Sequence, residues 1–239
     1  MNSSISFLLL TALLSPMSSA RAGAREAGGA IAVHCNAGTD HETYELLDLY
    51  EATAKGSRVL IEAWKGADRL DLIEWVMSPI AMFDWSRASN LQENAKSIDH
   101  DLGQSLYLAA HPSRRPVEPL RVGKVTFSDG LERIHSDFHV ATPIPANCEL
   151  VQLAVRKWQD RTTSSFVFNK QVWLKLDLVN QAAAILHEVI YQEDRAYNHS
   201  EYSDATRYEV GVLFTTGAQS VGEFDAIQGA KDYLREGVR

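Results

Sequence analysis

The segment from Asn169 to about Ala196 constrains this chain more than any other. Val172, Leu176, Val179, Ala183, Leu186 and Ile190 follow at steps of 4, 3, 4, 3 and 4 residues, the spacing that lines up one face of an α-helix. At roughly 100° per residue, Leu174, Leu178, Ile185 and Val189 make a second apolar side. A helix apolar on two sides has to be covered on two sides, so it is expected at the centre of the molecule, between layers. The one arc left polar holds Asp177, Asn180, His187, Glu188, Tyr191 and Arg195. That arc is the most informative surface in the chain.

The elements expected around this helix are of both kinds. Ala30 to Cys35 reads as a strand and Asn36-Ala-Gly38 as a turn. Thr43 to Tyr50 fits either a strand returning to pair with it or a helix opened by a Thr39/Glu42 capping box. Leu70, Ile73, Val76 and Met77 keep a helical spacing until Pro79, and a second helix is expected from Asn90 to about Ala110, stopped by Pro112. Cys148 to Trp158 places Val151, Leu153 and Val155 on one side of a half-buried strand, and Phe166-Val-Phe168 returns as its partner. Ser203 to Phe214 reads as a helix capped by Ser203 and packed on the central one. The fold expected is α+β, with antiparallel β-hairpins and several helices around the long helix at about 169–196. Trp64, Trp75 and Trp85 are expected in the core.

The N-terminus bears on location. Polar Met1 to Ser6 precedes an apolar run, Phe7 to Leu14, followed by the small-residue sites Ala20-Arg-Ala22 and Ala22-Gly-Ala24. This is the layout of a cleaved signal peptide over 1–22, leaving a single domain at 23–239. The run is less than half of the roughly 20 residues that a membrane span needs, and no later segment comes near that length. The expected location is extracytoplasmic, periplasmic or secreted. In such an oxidising compartment Cys35 and Cys148 point to a disulfide, with two buried free thiols as the alternative. Their spacing has no C-x-x-C character, which excludes a zinc ribbon or a thioredoxin-type pair.

Charge removes one class of partner. Lys and Arg number 23 against 31 Asp and Glu, a net charge of -8, and no basic stripe offsets it, so nucleic acid is not an expected partner. The chain contains no G-x-S-x-G, P-loop or G-x-G-x-x-G sequence, so serine hydrolase, P-loop and dinucleotide-binding readings have no support.

One constellation invites a catalytic reading. His187-Glu188-Val-Ile-Tyr191 opens like H-E-x-x-H, in which two His one helical turn apart hold zinc and the Glu acts as general base. Here the second position is Tyr191, and a phenol with a pKa near 10 is a poor replacement for imidazole. His199 does not fall at the next expected spacing, and His135 and His139 are remote in sequence. The motif is broken, so the sequence assigns no metal ligand and no cofactor. The competing reading has Glu188 paired with Arg207 or Arg195, while His187 and Tyr191 close a structural hydrogen-bond network. Asp48 and Glu51 are expected to be solvated if helical, and to point to opposite faces if on a strand. The sequon Asn198-His-Ser200 carries no weight by itself.

Three pieces together carry a resemblance. They are Gly28-Gly29 before Val33-His-Cys35, then Glu45-Leu-Leu-Asp-Leu-Tyr-Glu51, then Val172-Trp173 leading to Leu186-His-Glu-Val-Ile-Tyr191 with Ser203 and Arg207 beyond. With Cys148 heading a strand, the chain resembles a functionally uncharacterised group of small exported proteins of predatory and related Gram-negative bacteria. The resemblance implies an exported single domain in which His187, Glu188, Tyr191, Ser203 and Arg207 recur as a set, and it favours the hairpin for Thr43 to Tyr50. It also resembles, distantly, a degenerate zincin with H-E-x-x-Y in place of H-E-x-x-H. The functional expectation is an exported globular protein with a structural polar network on its central helix. The alternatives are a metal-dependent hydrolase acting on peptide or cell-wall material, with zinc as its cofactor, and a module that binds an envelope component.

Overall fold

A computed structural model describes residues 25–27, 29–59, 68–111, 125–131, 140–158, 164–198 and 203–215. The signal-like segment, Trp64, His135, His139 and His199 lie outside them. The described residues form an α+β fold with two small sheets and seven helices. Strands β1 (Arg25–Ala27), β2 (Ile31–Cys35) and β3 (Thr43–Leu46) open it and helix α1 (Leu47–Ala54) follows. Next come α2 (Arg69–Val76), α3 (Ser78–Phe83), α4 (Trp85–Ala110) and strand β4 (Val125–Ser128). Strands β5 (Cys148–Gln152), β6 (Ala154–Trp158) and β7 (Ser164–Asn169) lead into α5 (Lys170–Lys175), α6 (Leu178–Asn198) and α7 (Asp204–Leu213).

The three-stranded sheet runs β3-β2-β5 and is antiparallel throughout; the four-stranded sheet runs β1-β6-β7-β4, with β4 parallel to β7. The two sheets share one ladder. Ala27 pairs with Arg156 and Ile31, four residues on, pairs with Gln152, four residues back. The register is thus kept while the strands pass from one sheet to the other, and the change falls at Gly29–Ala30 opposite Leu153–Ala154. The single strand expected over Cys148 to Trp158 is for this reason two, β5 and β6, parted at Leu153.

Burial follows the expected periods. From Ala30 into β2, Ala30 and Ala32 face the main core, while Ile31 and Val33 turn to a smaller cluster with Leu47, the two-residue alternation of a strand covered on both faces. The main core is centred on α6, where Ala182, Ala183, Ala184, Ile185, Leu186, Val189 and Ile190 are all buried. Helices α1, α2, α4 and α7 and strand β3 pack against it. Phe168 meets Trp173 edge-on at 5.3 Å between ring centroids, joining the four-stranded sheet to α5. No helix among the described residues is long and apolar enough to cross a membrane.

The long helix expected over Asn169 to Ala196 is two helices. Asp177 interrupts it: its Oδ1 accepts the Asn180 N–H at 2.8 Å, capping the start of α6. The last carbonyls of α5 are taken up by the Gln181 side-chain amide, which donates to Trp173 O at 3.0 Å and Leu176 O at 3.1 Å. Thr43 to Tyr50 is likewise half of each alternative, pairing with β2 up to Leu46 and then turning into α1. Asn180 fixes that change, its Oδ1 accepting the Leu46 N–H at 2.7 Å. Pro79 opens α3 instead of ending helical structure. The helix expected from Asn90 starts earlier, at Trp85, because Asp84 caps it by accepting the Arg87 N–H. Trp85 is not in the core; it projects from the α3–α4 corner, 73% exposed, and Trp75 is half-buried.

Candidate functional site: a buried polar network on the central helix

The polar arc is buried from Asn180 to Tyr191, while Asp177 before it is exposed and Arg195 beyond it half-buried. His187 and Glu188 are fully enclosed, as is Tyr191, so every polar atom there needs a partner inside the protein. The adjacent side chains of His187 and Glu188 serve two different neighbours. His187 Nδ1–H donates to Asp48 Oδ2 at 2.7 Å, joining α6 to α1. Glu188 Oε1 accepts the Ala30 N–H, also at 2.7 Å, joining α6 to the corner between the sheets.

The corner explains why a carboxyl group is needed there. In an unbroken antiparallel ladder Ala30 and Leu153 would exchange both backbone hydrogen bonds. Leu153 N–H does donate to Ala30 O at 3.0 Å, but Leu153 O is occupied by the Asn169 N–H of β7 at 2.8 Å. Glu188 takes the acceptor place that Leu153 has given up. Ala30 O also receives the Ala154 N–H at 3.0 Å, and Ala154 O is met by the Gln152 side-chain amide at 2.7 Å. Gly29 completes the corner because nothing larger fits: a Cβ there would lie 2.6 Å from Ala154 O and 2.8 Å from Glu188 Oε1.

Asp48 and Glu51, expected to be solvated, are both buried, and the reason is their placement on α1 between α6 and α7. Helix α7 reaches α1 closely at Gly211, where a Cβ would come within 2.8 Å of Asp48 O. Glu51 Oε1 accepts the Ala141 N–H at 2.8 Å, and its Oε2 faces Arg207 Nε at 3.4 Å. Arg207 also donates to Ser203 Oγ at 3.1 Å and pairs with Asp204. Ser203 does stand at the start of α7, but its hydroxyl serves Arg207 and makes no capping bond to the helix. Two turns beyond His187, Asp194 accepts from Thr206 Oγ1 at 2.9 Å. Arg195 reaches back to Tyr191 Oη at 3.3 Å.

Electrostatics follow from this enclosure. Burial works against a charged His187 ring, but the Asp48 carboxylate, by its charge and its hydrogen bond, outweighs burial and holds the ring's pKa above the ordinary value. Burial raises the pKa of Glu188, opposed by His187, the Ala30 N–H and Arg156. The pKa of Arg156 on β6 is pushed down to about 10 by burial, with Glu188 working the other way; its guanidinium lies 4.8 Å from the Phe166 ring centroid.

The five residues of the expected set therefore share a buried region but divide their roles. Ser203 and Arg207 touch, and the His187 and Tyr191 rings lie 6.1 Å apart. The expected Glu188–Arg207 pair is replaced: Glu188 bonds the Ala30 backbone, and Glu51 is the carboxylate that faces Arg207 from α1. His187 bonds Asp48 and not Tyr191. Sequence reading misses the parts played by Gly29, Asp48 and Glu51, and it gives no signal for Gln152 or Arg156. Among the described residues no group of three or more His, Cys, Asp and Glu is placed to hold a metal ion.

A second polar cluster lies on the three-stranded sheet. His34 Nε2 meets Glu42 Oε1 at 2.7 Å and its Nδ1 meets Glu149 Oε1 at 3.2 Å, while the ring stacks on Tyr44 at 4.1 Å. The pKa of the Tyr44 hydroxyl is pushed up to about 12 by burial and by Glu42. Next to His34 in register, Cys35 and Cys148 are disulfide-bonded. No protein-family model, curated protein or solved structure matches the chain.

Proposed function

We propose that this is an exported protein, periplasmic or secreted, whose central helix carries a structural polar network and no reaction centre. The Cys35–Cys148 bond supports an oxidising compartment, as do the signal-like N-terminus and the resemblance to small exported proteins. The observation that carries the structural role is the Glu188 carboxyl group standing in for a strand carbonyl at Ala30 N. In a zincin that Glu would have to face a metal-bound water; here it is committed to holding the backbone. His187 is likewise committed, through Nδ1, to Asp48 on a neighbouring helix.

Metal content and stability test this reading together. Purified without a His tag, the mature protein is expected to carry well under one equivalent of zinc by elemental analysis. Changing His187 to Ala leaves Asp48 buried without its partner and should destabilise the fold by about 3 kcal/mol. One tightly held metal per chain, lost in His187→Ala, would overturn the proposal in favour of the hydrolase.

A further inference from the structure

We propose that Glu188 is an uncharged carboxylic acid in the folded protein and that its proton operates a latch at the corner between the two sheets. This rests on the structural reading of α6 and extends it to a response to pH.

The geometry is asymmetric. One carboxyl oxygen, Oε1, accepts the Ala30 N–H. The other, Oε2, is sealed from solvent and has no hydrogen-bond partner among the described residues. A buried carboxylate needs a charged partner or donors on both oxygens. Asp48 has the His187 ring bonded to it at 2.7 Å, whereas among the described residues Glu188 has one neutral backbone N–H bonded to it and nothing more, so its charged form is disfavoured. A carboxylic acid needs one acceptor interaction at its carbonyl oxygen, which the Ala30 N–H satisfies, and it leaves a neutral O–H in place of a charge.

The surrounding groups do not supply what the charged form lacks. On α6 itself His187 favours the charged form through its charge, but its Nδ1–H is committed to Asp48. From α1 comes Asp48, a second buried carboxylate, bonded to His187, whose charge opposes ionisation of Glu188. From α7, Arg207 is engaged by Glu51, Ser203 and Asp204. From β6, Arg156 favours the charged form through its own charge, yet no donor among the described residues reaches Oε2. From the corner itself comes the Ala30 amide, and Gln152 beside it is neutral. Burial dominates this balance and raises the pKa of Glu188.

The linkage has a definite sign. A carboxyl whose folded-state pKa is raised contributes stability that is complete below the unfolded value, 4.5, and is lost as pH rises through the folded value. In that window the unfolded chain has released the proton and the folded chain keeps it. Once Glu188 ionises, its charge is relieved by reaching water, which withdraws Oε1 from the Ala30 N–H and opens the corner.

Glu188→Gln tests this directly, because the amide oxygen can still accept from Ala30 while the NH2 group replaces the O–H. Chemical unfolding of the full mature chain and of Glu188→Gln should be compared from pH 5 to pH 9. The ratio of the two folding constants, wild type over variant, is expected to fall about tenfold per pH unit until the folded-state pKa is reached. A ratio that is flat or rises with pH means Glu188 is a carboxylate, and overturns the proposal. If the variant does not fold, the carboxyl carbon shift of Glu188 in the wild-type protein decides by NMR. A neutral-acid shift at pH 7 supports the latch and a carboxylate shift sinks it. Either failure leaves the zinc measurement, and with it the structural reading, unaffected.

Discussion

The residues of the network differ in how far each is visible from the sequence. His187 and Glu188 stand out because two apolar sides of a helix leave them on the remaining arc. Asp48 and Glu51 do not, because two carboxylates three apart on a short helix have the pattern of a solvated face, and their partners lie 139 and 156 positions away along the chain. Chain distance hides such pairs; packing alone reveals them. Glu51 and Arg207 are both nearly sealed from solvent. Among the described residues, removing Arg207 leaves Glu51 as a buried charge held only by the Ala141 N–H, and removing Glu51 takes from Arg207 a carboxylate more buried than Asp204. Glu51→Gln or Arg207→Met alone is expected to cost about 3 kcal/mol or more. Urea unfolding of both single variants and the double variant should show a double change well below the sum. Additive costs would mean that Arg207 is held by Ser203 and Asp204 without help from α1.

At the scale of elements, apolar periodicity locates the helices and strands but not the points where one gives way to another. Those points are set by single polar side chains with a local or a distant partner. Asp177 divides the long apolar stripe because it caps α6 three residues before Asn180, and Asn180 in turn ends β3 by receiving the Leu46 N–H. The first has a signal in sequence, an Asp shortly before a helical run; the second has none. Helix approach gives a test with opposite signs at two glycines. Gly211 of α7 has no room for a Cβ against Asp48 O and Ala52 of α1, whereas Gly103 of α4 has open space around it. Gly103→Ala is expected to stabilise by about 0.5–1 kcal/mol, since alanine is the better helix former. Gly211→Ala should instead destabilise by about 1–3 kcal/mol as α1 is pushed away. Thermal unfolding of the two variants side by side measures this, and equal shifts would mean that α1 and α7 are not closely packed.

For the whole molecule, the β2–β5 ladder is where the two sheets, the central helix and the covalent link converge. One end is held by Glu188 at Ala30, the other by the bond between Cys35 and Cys148, and His34 bridges Glu42 and Glu149 between them. The α+β class and the disulfide are legible in the sequence, the first from two coexisting periodicities and the second from an even cysteine count beside a signal-like N-terminus. The shared ladder is not, because nothing in a strand's composition says where its partner changes sheets. The disulfide spans 113 residues, and restricting so long a loop in the unfolded chain is worth roughly 4–5 kcal/mol in the chain-entropy account. Replacing both cysteines by Ser should therefore lower stability by up to about that amount, with no titratable thiol in the denatured, non-reduced wild type. The loss should also be local in the folded state. The smaller cluster of Ile31, Val33 and Leu47 lies on the face that Cys35 and Cys148 border, so amide exchange near Cys35 should quicken in the double variant. The Ala30 amide, held at the other end by Glu188, should keep its protection. Equal acceleration at both ends would show that the ladder opens as one unit and that Glu188 does not secure its corner independently.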